Sequence, residues 1–257
     1  MALSRLKLDT WRDIERRIPY IIKFLSRDYT LRFVGKRKLN PQRLYSTESG
    51  LESDKLGIVL KAMLYEGYDA PIIVILGYMG RLYIFDGHHR SRVSLWLDKL
   101  VDAYLIEAPS YKPRIMMPLK DTPIVNPPVT PSDPVAATWK HIINIIGFLE
   151  ARHKSIAKLW REQVSIDNLI ATQPLAKPVT KFYGPEVPPV LVYKYYDKYY
   201  VVDGHTRVCA ALLSGCNKVE AIVFTLNKPI GLIETSKYFG EPKFTSSYCY
   251  KKAFKKT

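Results

Sequence analysis

Two stretches decide how this chain is read: RLYIFDGHHRSRVSLWL, residues 81–97, and KYYVVDGHTRVCAALL, residues 198–213. In each, an apolar β-branched or aromatic run ends in Asp-Gly-His-x-Arg and passes into a helical pattern, and a shift of 117 carries one onto the other. Tyr83 falls on Tyr200, Asp86 on Asp203, Gly87 on Gly204, His88 on His205 and Arg90 on Arg207, with Pro71 set on Pro188 further upstream. A repeat at this spacing predicts two diverged copies of one small module.

Working outward, PIIVI (71–75) and PVLVY (189–193) precede the two stretches and read as the first strands of hairpins, while DAYLIE (102–107) and VEAIVF (219–224) follow the helices as further strands. LNPQRLYSTE (39–48) matches VSIDNLIATQ (164–173) at a shift of 125, which places Thr47 on Thr172 and Glu48 on Gln173, so the second copy is eight residues shorter between its motifs. The expected fold is α/β (α+β): two tandem mixed-sheet modules joined by a proline-rich connector and a long helix. Its domains are 1–108, an N-terminal helix plus the first module; 109–160, connector and linker helix; and 161–257, the second module with a basic tail. Eight prolines between 109 and 134 support the connector, and Trp139, Ile142, Ile143, Ile146, Leu149, Ile156 and Leu159 give the stripe of a helix over 136–162. A second helix is expected over Trp11–Leu25, with Pro19 a kink point.

Cys209, Cys216 and Cys249 lack local C-x-x-C pairing and are expected as reduced thiols. Asn and Gln together number nine, against plentiful Lys, Arg, Ile and Tyr, a balance that resembles thermophile proteins. Met1–Lys7 hold no apolar core of signal-peptide length and no stretch reaches the roughly 18 apolar residues of a membrane helix, so a cytoplasmic protein without membrane contact is expected. The formal charge of +15 suits a phosphate-bearing partner, although Arg12, Arg16, Arg17 and the tail residues Lys251, Lys252, Lys255 and Lys256 supply much of it as a solvated basic surface needs no ligand to do.

A strand ending in Asp-Gly and opening a helix leaves unpaired N–H groups at the positive end of the helix dipole, a ready anion site. Gly87 and Gly204 would admit a close phosphate, and Arg90 and Arg207, one turn into each helix, are expected to fork its oxygens. His88, His89 and His205 are three of only five histidines. Taken singly, each is more often an ordinary hydrogen-bonded residue, and Asp86 or Asp203 an N-cap; their joint recurrence points to a ligand site.

On these residues the chain resembles the ParB/sulfiredoxin-like superfamily, in which this turn binds phosphate groups. D-G-H-H-R in particular is similar to the archaeal free L-serine kinases, over about 33–107 and more weakly 160–225. The resemblance implies phosphoryl transfer from the γ position of ATP or the β position of ADP to the hydroxyl of L-serine, giving O-phospho-L-serine. It places the general base at Glu48, since a hydroxyl attacks only once its proton is accepted. Glu48, Asp86, His88 and His89 are then the catalytic set; Gly87, His88, His89, Arg90, Asp203, Gly204, His205 and Arg207 handle nucleotide and phosphate. Mg²⁺ follows from the need to neutralise nucleotide phosphates, with Asp86 a possible ligand. Copy two has Gln173 and Thr206 where copy one has Glu48 and His89, so the chemistry is assigned to copy one, with Glu52 the rival base. The duplicated layout departs from the single-module kinases. A nucleotide- or DNA-binding module of the ParB type is the competing reading, in which nucleic acid is the partner; no recognition-helix segment follows either module. A sulfiredoxin would need cysteine in the turn, and a nuclease a carboxylate cluster.

Overall fold

In a computed structural model, residues 8–127, 133–174, 176 and 188–250 are described. The expectations for Met1–Lys7 and for the tail lysines fall outside them. In chain order the first part contains α1 (Trp11–Leu25), β1 (Arg32–Leu39), a 3₁₀ turn (Pro41–Arg43) opening into β2 (Leu44–Ser46), β3 (Leu51–Glu52), α2 (Ser53–Tyr65), β4 (Ile72–Leu76), β5 (Leu82–Asp86), α3 (His88–Trp96), β6 (Val101–Glu107), β7 (Met117–Pro118), β8 (Ile124–Val125) and α4 (Pro134–His153). It continues with β9 (Lys158–Ser165), a 3₁₀ turn (Ile166–Asn168) into β10 (Leu169–Ala171), β11 (Val190–Tyr195), β12 (Lys198–Asp203), α5 (His205–Leu213), β13 (Lys218–Thr225), α6 (Gly231–Tyr238) and α7 (Ser246–Tyr250).

The fold is α/β with mixed sheets, and the two sheets repeat one another. The first runs β1-β6-β4-β5-β2-β7 and the second, in the same sense, β9-β13-β11-β12-β10. Corresponding pairs keep their direction: β1 with β6 and β9 with β13 are antiparallel, β4 with β6 and β11 with β13 parallel, and both hairpins antiparallel, with β2 and β10 running parallel to β5 and β12. Central strands covered on both faces read as unbroken apolar runs, which is why Ile72–Ile75 are all buried. Ile73 meets Ile14 and Ile18 of α1 on one face; Ile72, its neighbour, points to the other by strand alternation. α1 starts at a reciprocal cap between Thr10 and Asp13 and runs as one helix with Pro19 inside it.

Several expectations are corrected. The paired Ile75 and Tyr83 are eight positions apart and the paired Tyr193 and Tyr200 seven, so the first hairpin is one residue longer and Pro71 corresponds to Pro189 rather than Pro188. The helix expected to reach 162 stops at His153: Lys154 takes a left-handed φ of 50°, and Leu159 belongs to β9. The proline-rich stretch is no free connector. Contacts divide the chain at Gly147/Phe148 into units 1–147 and 148–257, and the division falls within α4. Within the first unit, β7 pairs with β2, Tyr45 opposite Pro118, and β8 pairs with β3. The second unit repeats that return where Ile170 bridges Lys243 and the Ala171 N–H donates to the Pro242 carbonyl. Both bridges keep the shift of 125.

The cysteines are corrected too. Cys209 on α5 and Cys249 on α7, 40 residues apart, form a disulfide, and Cys216 is the free, exposed one. The pairing is invisible to a search for local spacing because the return along β10 brings the two together. Cys209 stands where the first copy has Arg92, whose Nη1 donates to the carbonyls of Leu119 at 2.8 Å and Lys120 at 2.9 Å. One position thus ties the helix to the returning segment in both units, by hydrogen bonds in one and by a covalent bond in the other. Among the described residues no helix is long and apolar enough to cross a membrane.

Closing a loop of 40 residues is worth about 4 kcal/mol on chain-entropy grounds. Reduction by dithiothreitol, or Cys209→Ser with Cys249→Ser, should lower the stability of the second unit by roughly 2 to 4 kcal/mol, read from denaturant unfolding with and without reductant. An unchanged unfolding midpoint would show that the cross-link contributes nothing.

Candidate functional site

Each Asp-Gly-His-x-Arg segment sits where a strand gives way to a helix, and its glycine makes the turn. Gly87 has φ +96° and Gly204 φ +99°, the left-handed region that suits glycine. Space imposes the same choice: a Cβ on Gly87 would collide with Ile72 Cγ2 and lie 2.9 Å from Arg90 Nη2, and one on Gly204 would lie 2.8 Å from Val190 Cγ1. Neither glycine has a side chain to cap the helix it opens, so among the described residues no N-cap side chain closes the first turn of α3 or α5, although in α5 the Arg207 N–H donates to the Gly204 carbonyl at 2.8 Å.

The histidine after each glycine is pinned from the side. The Thr47 N–H donates to His88 Nε2 at 3.1 Å, while Thr47 Oγ1 donates to the Ile84 carbonyl at 2.9 Å. In the second unit the Thr172 N–H donates to His205 Nε2 at 3.1 Å and Thr172 Oγ1 to the Val201 carbonyl at 2.6 Å. Accepting at Nε2 puts the proton of neutral His88 on Nδ1, 3.2 Å from Glu48 Oε1. Burial, with His89 and Arg90 adding repulsion, lowers His88 to about 4; burial lowers His205 likewise to about 4. At neutral pH, His88 is therefore an uncharged ring beside Glu48, close to it without the alignment of a good hydrogen bond. Glu48 itself is raised, first by burial and then by the nearby Glu52, and its side chain is 45% exposed. A reachable carboxylate with a raised pKa, beside a neutral ring, is equipped to accept a proton.

His89 Nε2 lies 3.0 Å from Glu52 Oε2 without the alignment of a good hydrogen bond. Burial lowers His89, with Glu52 opposing. Burial raises Glu52, but the bond from Lys55 and a backbone bond outweigh it, so the net shift is downward. Lys55, whose Nζ reaches Glu52 Oε1 at 2.7 Å, is a cation of the site that sequence reasoning passed over. Its signal was present as Glu52-x-x-Lys55 at a helix start, a spacing that brings opposite charges together.

The arginines are not placed as expected. Arg90, whose side chain is 11% exposed, turns back beneath the turn: Nη2 holds Asp86 Oδ2 at 2.9 Å, Nη1 donates to the Tyr68 hydroxyl at 3.2 Å, and buried Nε has no hydrogen-bond partner among the described residues. Arg207 holds Asp203 at 2.6 Å and donates through Nη1 to the carbonyls of Pro188 and Pro189. Both stitch strand end to helix instead of forking outward. Asp86 also has Arg17 of α1 at 4.0 Å, itself bonded to Asp9. Among the described residues no group of three or more His, Cys, Asp or Glu is arranged to hold a metal ion, and Asp86 is engaged by guanidinium groups.

The second turn keeps the frame and lacks the reactive set. Gln173 is exposed and its carbonyl accepts from the Tyr248 hydroxyl at 2.9 Å. The Phe244 ring lies 5.9 Å from that of His205.

No family model and no curated protein matches the chain. Among solved structures, the crystal structure of protein Atu1540 from Agrobacterium tumefaciens is similar at 15% identity over 31% of this chain and 42% of that one, with a TM-score of 0.27. This chain thus matches less than half the length of that protein.

Burying two neutral histidines makes stability depend on pH with a defined sign. Their folded pKa values, about 4, lie below the ordinary 6.5, so the contribution is whole above pH 6.5 and falls away as pH drops toward 4. Each should cost as much as about 3 kcal/mol at the acid end. Ring NMR titration should find both histidines neutral down to pH 5; midpoints near 6.5 would contradict their environments.

Proposed function

We propose that the first unit is a nucleotide-dependent kinase acting on a small hydroxyl substrate, with free L-serine the substrate that the D-G-H-H-R resemblance favours and O-phospho-L-serine the product. The observation that carries this reading is the Glu48 carboxylate, raised by burial and facing the Nδ1–H of neutral His88 beside an uncapped helix N-terminus.

In this reading Glu48 takes the hydroxyl proton while the oxygen attacks the terminal phosphoryl. The new O–P bond forms as the bond to the nucleotide breaks, releasing ADP from ATP or AMP from ADP. The N–H groups opening α3 hold phosphate oxygens through the close approach that Gly87 permits, and Lys55 supplies positive charge beside the carboxylate. His88 keeps an uncharged ring beside Glu48; Arg90 and Asp86 keep the turn in shape. Mg²⁺ would come with the nucleotide phosphates, with Asp86, bonded to Arg90, the carboxylate nearest the turn, and no step is routed through it. The net charge of +15 also suits a nucleotide- or DNA-binding module without chemistry, the second reading.

The two separate at one residue. With serine, Mg²⁺ and either ATP or ADP, phosphoserine should form, and Glu48→Gln should cut turnover by roughly 10² to 10⁴ while leaving nucleotide affinity nearly unchanged. Gln173→Glu should create no second site, because Thr206 stands in place of His89. Near-normal turnover in Glu48→Gln would remove the base and make Glu52 the next candidate. Nucleotide binding with no phosphoserine at all would favour the binding module.

A further inference from the structure

The first unit also has a cleft of about 170 Å³ on the flank of the turn away from Glu48. Ile72 and Arg90 line it, and both also crowd Gly87, so the cleft and the helix N-terminus share a wall. Its other apolar surfaces come from Met63, Leu100 and Val101. Resting on the kinase reading above, we propose that this cleft takes the base of the donor nucleotide, a purine carrying an exocyclic amino group, while its phosphates cross the start of α3 toward Glu48.

Reach decides between the two substrates. Glu48 follows β2, which lies next to β5; β4 comes next and then β6, and the cleft is built where β4 and β6 begin, at Ile72 and Val101. At roughly 4.8 Å per strand, the carboxylate and the cleft are about 10 Å apart or more. A free amino acid with its hydroxyl at Glu48 is too short to enter the cleft. A nucleoside polyphosphate with its terminal phosphoryl there is long enough, and its path runs over the uncapped N–H groups.

The cleft's chemistry agrees with a base. Met63, Ile72, Leu100 and Val101 offer apolar surface to a flat ring, beside the charged Asp69, Arg90, Lys99 and Asp102. Asp69, whose Oδ1 accepts from Trp11 Nε1, and Asp102, 3.9 Å from Lys38, have further acceptor capacity for an amino group, and the Ser94 hydroxyl can donate to a ring nitrogen. Arg90, whose buried Nε has no hydrogen-bond partner among the described residues, forms the wall between base and phosphates. The second turn has Arg207 Nη1 committed to the carbonyls of Pro188 and Pro189, where Arg90 Nη1 donates to the Tyr68 hydroxyl and lies 4.0 Å from Asp9 Oδ2.

Calorimetric titration with ADP, IDP and inorganic pyrophosphate tests this. Wild-type protein should bind ADP more tightly than pyrophosphate, and more tightly than IDP, whose base lacks the amino group. Leu100→Asp, at a rim position 59% exposed and therefore tolerant, and Met63→Trp, which fills the cleft, should each weaken ADP about tenfold or more and leave pyrophosphate unchanged. If both variants bind ADP as the wild type does, or lose ADP and pyrophosphate in equal measure, the base lies elsewhere; phosphoserine formation by the wild-type protein would then show that the kinase reading survives. If the wild type binds neither ADP nor pyrophosphate, the phosphate role of the turn and the cleft proposal fall together.

Discussion

Contact between a strand residue and a glycine without a Cβ governs both units. Ile72 lies under Gly87 and Val190 under Gly204, so close that any side chain on the glycine would have to displace the strand. Because the backbone turns there in the left-handed region, the helix that follows begins at once, with a glycine at its N-cap that has no side chain to close the first turn. Three features then follow from one constraint: a free helix N-terminus, a histidine at its first position directed at the neighbouring short strand, and an arginine one turn on that folds back to the strand's last aspartate. The aspartate–arginine pair is partly shielded and bonded at 2.9 Å or less in both units, a geometry more valuable than a loose surface pair.

Much of this was legible in the sequence because it depends on local patterns that the duplication writes twice. Strand, turn and helix followed from the apolar runs and the Asp-Gly pair, and even the weak match of LNPQRLYSTE to VSIDNLIATQ marked two identical 3₁₀-turn-and-strand passages. What stayed hidden depends on backbone pairing between distant segments. Pro118 and Lys243 occupy equivalent bridges without resembling each other, so the return segment of the first copy read as a connector. The Cys209–Cys249 link and the Arg92 tie share a position but no chemistry. The direction of Arg90 was out of reach for another reason: an arginine near a helix N-terminus can turn outward to an anion or inward to a carboxylate, and only the position of Asp86 and Tyr68 decides.

The two return segments show how differently the copies are held. In the first, Arg92 binds two carbonyls from a helix whose next turn carries Trp96, and its guanidinium lies 5.4 Å from that ring. In the second, a disulfide does the tying, Phe244 and Tyr248 pack against the core beside it, and the Tyr248 hydroxyl reaches Gln173, the counterpart of Glu48. The divergence is therefore concentrated on the side of the turn where the base would act, and the position that carries a half-exposed carboxylate in one unit has its backbone enlisted to hold the cover in the other.

This division changes what recurrence itself implies. Asp, Gly, His and Arg are shared by both turns, yet every one has a packing task performed identically in both: the glycine admits the strand, the histidine anchors a threonine, the arginine binds the aspartate. Their repetition is accounted for by the fold, and it would persist in a unit with no ligand at all. Among the described residues, Glu48 and His89 stand where the second unit has Gln173 and Thr206, and with Glu52 and Lys55 they bring charges and ring nitrogens together beside the first turn. His88 links the two groups. Its Nε2 serves the frame, as His205 does, while its Nδ1 proton faces Glu48, a use for which the second unit retains the histidine but not the carboxylate. A protonated imidazole in that place would pull Glu48 down and weaken it as a base; the burial that the frame imposes keeps the ring neutral, so the same packing that builds the turn also leaves the carboxylate able to take a proton.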